Sequence, residues 1–430
     1  MISDKQKGYV VMALQIFLGL VFLFSGFAKV IDPLGGWYKV DDYLTAFSWD
    51  MLKDLGFLGS ILLNIVEFAL GTCLLLGVWP RLTSIGVLIF MAFYTPLTLY
   101  IAIYNPVTDC GCFGEALKIT NWQTFWKNIV FSAMGIILYM WHQHSTRDKS
   151  VAKFLTVSAY TGIFLVFVSY YCYYNLPIID FRPYSIGTNI PASMEIPEGA
   201  PSDIYESYFT YVKDGVRKEV KFGSDEYNAI SNDPAWQIDA DASRSELVEK
   251  GYEPPIHDFT MEDPDDGDLT EDVMADEGYT FIAVSSKITK ADMEQAHKIN
   301  DVYEFCEANG LKLYMLTSTG IGTDELNAFI NETGAQYKFL NTDEITLKTV
   351  VRSNLGLVLV KNGNVINKWA VKNIPDFQQL LDNAGGDMDK VAEMQMHKPN
   401  NWLTAILFFA IYFAGLFAVW FAVKKFLVKD

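Results

Sequence analysis

The sequence predicts an α-helical membrane bundle of six spans carrying an α/β domain outside the bilayer. Three observations lead there. Six apolar runs approach the roughly 20 residues that cross a hydrocarbon core. Charge is segregated: residues 177–398 hold 40 Asp and Glu against 19 Lys and Arg, while the rest of the 430-residue chain sums to +3. Within the acidic stretch, from about residue 256, short strand-like runs alternate with helical ones. At 51% apolar and 15% aromatic the chain is too hydrophobic for disorder. The acidic segment would repel a polyanion, which argues against nucleic acid. The composition demands a lipid bilayer as partner.

The apolar runs are residues 8–28, about 58–78, 82–104, about 123–141, about 152–174 and 402–423. The first is not a cleaved signal, because its core is long and Lys29, Val30, Ile31 and Asp32 provide no small-residue cleavage site. Orientation follows from cations in the short loops. With the N-terminus inside, the inner segments hold Lys5, Lys7, Arg81, Arg147, Lys149, Lys153, Lys424, Lys425 and Lys429. The outer loops hold Lys29, Lys39, Lys53, Lys118 and Lys127. Nine against five places both termini in the cytoplasm, and Cys110, Cys112 and residues 177–398 outside it, on the periplasmic side. The region 30–57, with Trp37, Tyr38, Tyr43 and Trp49, fits either an interfacial helix or a loop. The expected division is 1–150 for a four-helix unit, 151–176 for a fifth span, 177–255 for a linker with a hairpin, 256–390 for the α/β domain, and 400–430 for the last span and its cytoplasmic tail.

In the linker, YFTYVKDGVRKEVKF alternates on both sides of Asp214-Gly215, a β-hairpin pattern. An acidic hairpin over 258–273 follows, and then the order βαβαβαββα. This order resembles the thioredoxin fold, over about residues 256–386. The resemblance implies a thiol where the first central strand enters its helix, at a dipole that lowers its pKa. That place reads Ser285, Ser286, Lys287, Ile288, Thr289, Lys290, without sulfur, and Ser353, Asn354, Leu355, Gly356 lack the expected cis-proline. The domain is therefore expected to be catalytically silent, serving as a binding module or a rigid spacer. Cys306, among Val302, Tyr303 and Phe305, fits a buried structural thiol. In the acidic run Gly267 is misplaced for a calcium loop, so no metal is expected. Asp265, Asp266 and Asp268 are candidates for partner contacts on a solvated hairpin tip.

Cys110-Gly111-Cys112 puts two thiols in an oxidising compartment, where they pair or exchange. Gly111 can take the backbone angles that so small a disulfide ring requires. A strained exposed disulfide belongs to the labile end of the redox scale, which fits a relay; a static loop lock and a reduced turn stay open. Cys172, near the outer end of the fifth span, is the remaining thiol that could reach this pair, although Tyr170, Tyr171, Tyr173 and Tyr174 around it describe an interfacial aromatic belt. Cys73 reads as packing. Glu67 is a mid-span ionisable group, a functional site by default. Lys29 is expected to approach it only partly, and Asn64, Ser25 or Tyr94 could hydrogen-bond a protonated carboxyl. His142 and His144 fit the interface, and no His or Cys cluster has metal spacing.

Three stretches, FLFSGFAKVIDP, NIVEFALG and NPVTDCGCFG, resemble the DoxX and MauE-like membrane family over about residues 8–142, most specifically at Asp109–Gly114. Some DoxX-like proteins also carry an appended thioredoxin-like domain. The resemblance implies envelope redox work, either quinone-linked or in support of disulfide formation, with quinone as the implied cofactor. The leading expectation is thiol or electron exchange at Cys110 and Cys112, with Glu67 and Cys172 assisting and the α/β domain recruiting an envelope client. Such an enzyme would be a thiol-disulfide or quinone-linked oxidoreductase. The competing expectation is a non-enzymatic scaffold in an envelope complex. A transporter fits less well, since no inverted repeat with broken helices is evident.

Overall fold

A computed structural model describes residues 3–107, 109–145, 150–249, 251–291, 293–396 and 400–427. Arg147, Lys149 and Lys429, counted above for orientation, lie outside the described residues. The chain forms two units, one of residues 189–259 and one of the remainder.

Peptide groups in hydrocarbon can satisfy their hydrogen bonds only within a helix or a closed barrel, and each long apolar run is accordingly helical. The helices of this part are α1 (Asp4–Val30), α3 (Lys53–Leu75), α4 (Pro80–Tyr104), α5 (Asn121–Met140) and α6 (Val151–Asn175), with a shorter α2 (Pro33–Ala46) after α1. Capping boxes start α1 at Ser3 and Gln6, and α5 at Thr120 and Gln123. The open region 30–57 resolves as α2, started by Pro33 and capped by Asp32, whose carboxylate accepts from the Gly35 N–H.

Five helices among the described residues are long and apolar enough to span, four of them lying in α1, Asp50–Leu75, α4 and α6. The fifth is near the C-terminus. The expected sixth, α5, does not meet that measure, because Gln123, Thr124, Lys127 and Asn128 dilute its first half. It lies antiparallel along α4 nonetheless. Asn121 donates to Asn105 at 2.7 Å, Asn128 donates to Thr98 at 3.2 Å, and Thr95 meets Ser132 at 3.1 Å.

The tightest crossing is between α1 and α3. A Cβ on Gly26 would fall 2.8 Å from the Phe68 Cβ, and one on Gly71 would fall 2.7 Å from the Leu23 nitrogen. Only glycine permits these backbones to approach so closely.

Residues 189–259 contain α7 (Ile190–Met194), β1 (Ile204–Lys213), β2 (Val216–Lys221), α8 (Asp225–Ser231) and β3 (Gln237–Glu249). The hairpin turns through positive φ at Asp214 and Gly215, and Tyr211, Val220 and Ile230 form its small core. β3 pairs with β1, making a three-stranded sheet in what read as a linker. Its sequence, QIDADASRSELVE, is too polar to announce a strand.

The α/β region runs β4 (Glu262–Asp263), β5 (Gly267–Asp268), α9 (Thr270–Met274), β6 (Tyr279–Ser285), α10 (His297–Asn309), β7 (Lys312–Thr317), α11 (Asp324–Thr333), β8 (Lys338–Asn341), α12 (Glu344–Val350), β9 (Gly356–Lys361), β10 (Asn364–Ala370), α13 (Phe377–Asn383) and α14 (Met388–Gln395). The sheet order is β10-β9-β6-β7-β8-β4-β5. β6, β7 and β8 are parallel, while β9 and β10 run antiparallel to their neighbours. From β6 to α13 the order matches the expected βαβαβαββα. The helix expected from 289 starts at His297, since Ile288–Lys290 forms a single 3₁₀ turn. Every residue of β6 is buried, as a central strand covered on both faces requires, and Cys306 is buried in the same core. The Asn354–Leu355 peptide bond, before β9, is cis. The last helix, α15 (Asn401–Leu427), returns to the bundle, where the Tyr412 hydroxyl meets Thr161 at 2.6 Å and Thr72 at 2.9 Å.

Candidate functional site around the cysteine pair

The close α1–α3 crossing fixes what stands near it. Lys29 lies three residues beyond Gly26 and Glu67 lies four before Gly71, so the two side chains meet as a direct ion pair. Their side chains are only 14% and 8% exposed. Lys29, expected to reach Glu67 only partly, is thus its partner. Asn64, Tyr94 and Ser25 line the same cavity, and the Ser25 hydroxyl is taken up by the cysteine loop.

The α4–α5 loop folds over this pair. The Ser25 hydroxyl donates to the Cys112 carbonyl, and the Tyr43 hydroxyl to the Cys110 carbonyl at 3.0 Å. Lys39 pairs with Asp109 at 2.9 Å, and the Asp109 carboxylate accepts from the Gly111 N–H at 2.8 Å. Gly111 has φ +65°, and a Cβ there would also meet the Lys39 Cγ at 2.9 Å, so both backbone and space demand glycine. These ties bring the Cys110 and Cys112 sulfurs to 2.8 Å of each other.

Both sulfurs border an apolar cavity of about 320 Å³, walled by Phe22, Phe90 and Leu97 and carrying Lys29, Glu67 and Lys127. The Lys127 ammonium stands 4.6 Å from the Phe113 ring centroid. A hydrogen bond from Cys110 holds the Cys112 thiol down, to about 6; burial opposes this, and Lys127 and Lys29 assist it. The same bond, together with burial, pushes the Cys110 thiol up. A thiol whose pKa is lowered beside one whose pKa is raised is an arrangement suited to thiol-disulfide exchange.

Other expected residues lie elsewhere. Cys172 does not line the cavity; it is buried in a second cluster with Leu165, Val168 and Ile179, so its expected reach to the pair is not realised. At that end of α6 the exposed residues include Tyr170, Tyr171 and Tyr173. Cys73 belongs to the same cluster. In the β4–β5 hairpin, Lys338 pairs with Asp266 at 2.7 Å and with Asp263 at 3.0 Å. Asp268 accepts from the Thr270 N–H at 2.9 Å, and the Asp265 N–H donates to Asp263 at 2.9 Å. Among the described residues no group of three or more His, Cys, Asp or Glu is placed to hold a metal ion.

The sequence reading missed the charges that attach the α/β region to the membrane helices. Arg352, between α12 and β9, is 4% exposed, and its Nε reaches both Asp32 carboxylate oxygens at 3.1 and 3.0 Å. Asp180, just past α6, pairs with Arg182 at 2.7 Å and with Lys368 of β10. Burial alone would raise the Asp180 carboxyl, but Arg182 and Lys368 outweigh it and hold it below the usual carboxylate range. Burial pushes the Lys368 amine down, to about 8, against the pull of Asp180. A lysine inside the strand pattern NVINKWA, and an arginine directly after Val350-Val351, were the signals present in the sequence.

Residues 7–141 match the family described as methylamine utilisation protein MauE. No curated protein matches the chain, and no solved structure does.

Proposed function

With residues 7–141 a MauE-like membrane unit, we propose that this multi-pass membrane protein carries out thiol-disulfide or quinone-linked redox exchange at Cys110 and Cys112. The observation that carries the reading is the juxtaposition of two sulfurs 2.8 Å apart with an apolar cavity and a buried Lys29–Glu67 pair. The protein would sit in the cytoplasmic membrane with both termini inside and residues 177–398 outside. Six spans fit this topology, and the antiparallel contact of α5 along α4, from Asn121–Asn105 at one end to Ser132–Thr95 further along, supports α5 as one of them.

In the exchange, a client thiolate attacks one sulfur of the Cys110–Cys112 disulfide and forms a mixed disulfide. The second client thiol resolves it, so the client is oxidised and both cysteines are reduced. Cys112, with the lower pKa, is the better leaving thiolate. A quinone in the cavity would accept the two electrons and two protons released when the pair closes again. The residues fit such a group, with Phe22, Phe90 and Tyr94 against a flat ring and the Lys29 and Lys127 ammonium groups as donors to its oxygens. Glu67 holds the Lys29 ammonium in place, and its carboxylate would be an acceptor for a proton released beside the quinone.

The α/β domain, by its strand order and its thiol-free β6 edge, supports a silent thioredoxin-like fold that binds the client. The buried Arg352–Asp32 pair favours a second reading, a non-enzymatic scaffold in which the domain is simply braced on the bundle.

The test is differential alkylation of Cys110 and Cys112 in cells, for wild type, Cys110→Ser and Cys112→Ser. A mixed disulfide trapped by either variant is the expected result. A pair fixed in one redox state, with no trapped partner and full cellular function in both variants, would leave the scaffold reading.

A further inference from the structure

The Cys-Gly-Cys loop and the end of α1 each present a carboxylate to the α/β domain. Asp32 follows Lys29 by three residues, Glu115 follows Cys112 by three, and both line the cysteine cavity. Within the membrane helices and their loops, Glu115 is paired with Lys118 at 3.2 Å, whereas Asp32 takes its cation from the α/β domain. One arginine of the α/β domain reaches both. The Arg352 Nε takes the two Asp32 oxygens, and a terminal guanidinium nitrogen stands 3.8 Å from Glu115. A second terminal nitrogen donates to the Lys348 carbonyl at 2.5 Å, and the guanidinium carbon lies 5.2 Å from the Tyr38 ring centroid, so it cannot swing away. Arginine is suited to this place, because a rigid planar fork can hold two carboxylates and an aromatic face at once.

The backing is also charged. Arg182 donates to the Thr349 carbonyl at 3.1 Å and Lys368 to the Val350 carbonyl at 3.0 Å, which pins the end of α12 just before Arg352. Without this arginine, the largely buried Asp32 carboxylate would lose its cation at the rim of a low-dielectric cavity, at a large penalty, and Glu115 would keep only Lys118.

We propose that Arg352 is a positioning residue for the cysteine pair: the α/β domain, without a thiol of its own at the β6 edge, supplies in cis the cation that clamps the Cys110–Cys112 loop to the end of α1. The cysteine site is then built from both ends of the chain, and the membrane unit alone is incomplete. This deepens the redox reading and takes its chemical meaning from it, while the clamp itself can be measured separately.

The experiment uses the full-length protein in native membranes, reduced, then treated with a membrane-impermeant maleimide, with modification of Cys112 followed by mass spectrometry. Arg352→Ala is expected to speed Cys112 modification about tenfold or more, because freeing the loop populates open states. Arg352→Lys should recover part of the protection. Asp32→Asn should speed modification as well, and adding it to Arg352→Ala should give little further increase, since the two act through one contact. Lys361→Ala, which removes an exposed pair with Asp389 in the same domain, should leave the rate unchanged. An unchanged Cys112 rate in Arg352→Ala, or independent multiplying effects of Arg352→Ala and Asp32→Asn, would overturn the proposal. If the rates shift as expected but client oxidation in cells does not, the clamp stands and the redox reading fails.

Discussion

Replacing Lys29 by Met, Glu67 by Leu, and both together tests how the core of the site is held. Two magnitudes compete. An exposed ion pair contributes about 0–1 kcal/mol, whereas removing one partner of a buried pair costs about 3–5 kcal/mol, because the other charge is left uncompensated. The exposures of 14% and 8% place Lys29–Glu67 in the second class. The helix backbones beside it are already in contact through Gly26 and Gly71, so the bundle has little room to relax. Each single substitution should therefore cost about 3–5 kcal/mol, and the double substitution should recover most of that loss, because two apolar side chains of similar volume can fill the space. The assay is reversible denaturant unfolding in detergent micelles. Single losses below about 1 kcal/mol, or a double variant no more stable than either single one, would refute the reasoning. The double variant also separates architecture from chemistry. If it is stable and oxidises clients normally, the pair only ties α1 to α3; if it is stable and inactive, the charges take part in the reaction.

Three further outcomes are expected. Gly26→Ala should destabilise by about 1–3 kcal/mol through overpacking against Phe68, while Gly59→Ala, where a Cβ meets nothing within 4 Å, should be neutral or slightly stabilising; comparable losses at both positions would contradict the close crossing. In reduced protein the iodoacetamide reactivity of Cys112 should rise with a midpoint near pH 6 and level off above it, while Cys110 stays unreactive in that range; a Cys112 midpoint near the ordinary thiol value of about 8.5 would exclude the thiolate. The Asp180 carboxyl is depressed in the folded state, so its contribution to stability is present above the unfolded Asp value of about 3.9 and is lost as pH falls through the folded value. Acid unfolding should consequently be less pH-dependent in Asp180→Asn than in wild type, and identical profiles would show that the pairs with Arg182 and Lys368 do not stabilise the fold.

Features that depend on a few consecutive residues were legible from the sequence. The apolar runs mark α1, α3, α4, α6 and α15, the Asp214-Gly215 turn marks its hairpin, and alternating patterns mark β6 to α13. The loop of Cys110 and Cys112 was visible as a candidate because the two sulfurs are two residues apart. Where pattern is weak, the reading was weak too: β3 is polar along its length, and α5 is a helix whose first half is too polar to count as a span by composition.

The charges that complete the site are separated by distances in sequence that no local pattern spans. Lys29 meets Glu67 across 38 residues, and Arg352 meets Asp32 across 320. Whether Cys172 reaches the cysteine pair was likewise decided by the packing of α6, which turns that thiol into another cluster. The sequence by itself determined the long apolar helices and the strands with alternating or continuous apolar pattern, because hydrogen bonding and periodic burial act within a few residues. Only the tertiary structure decided which buried charges are neighbours, because in a low-dielectric interior each charge requires a partner, and the fold alone brings that partner within reach.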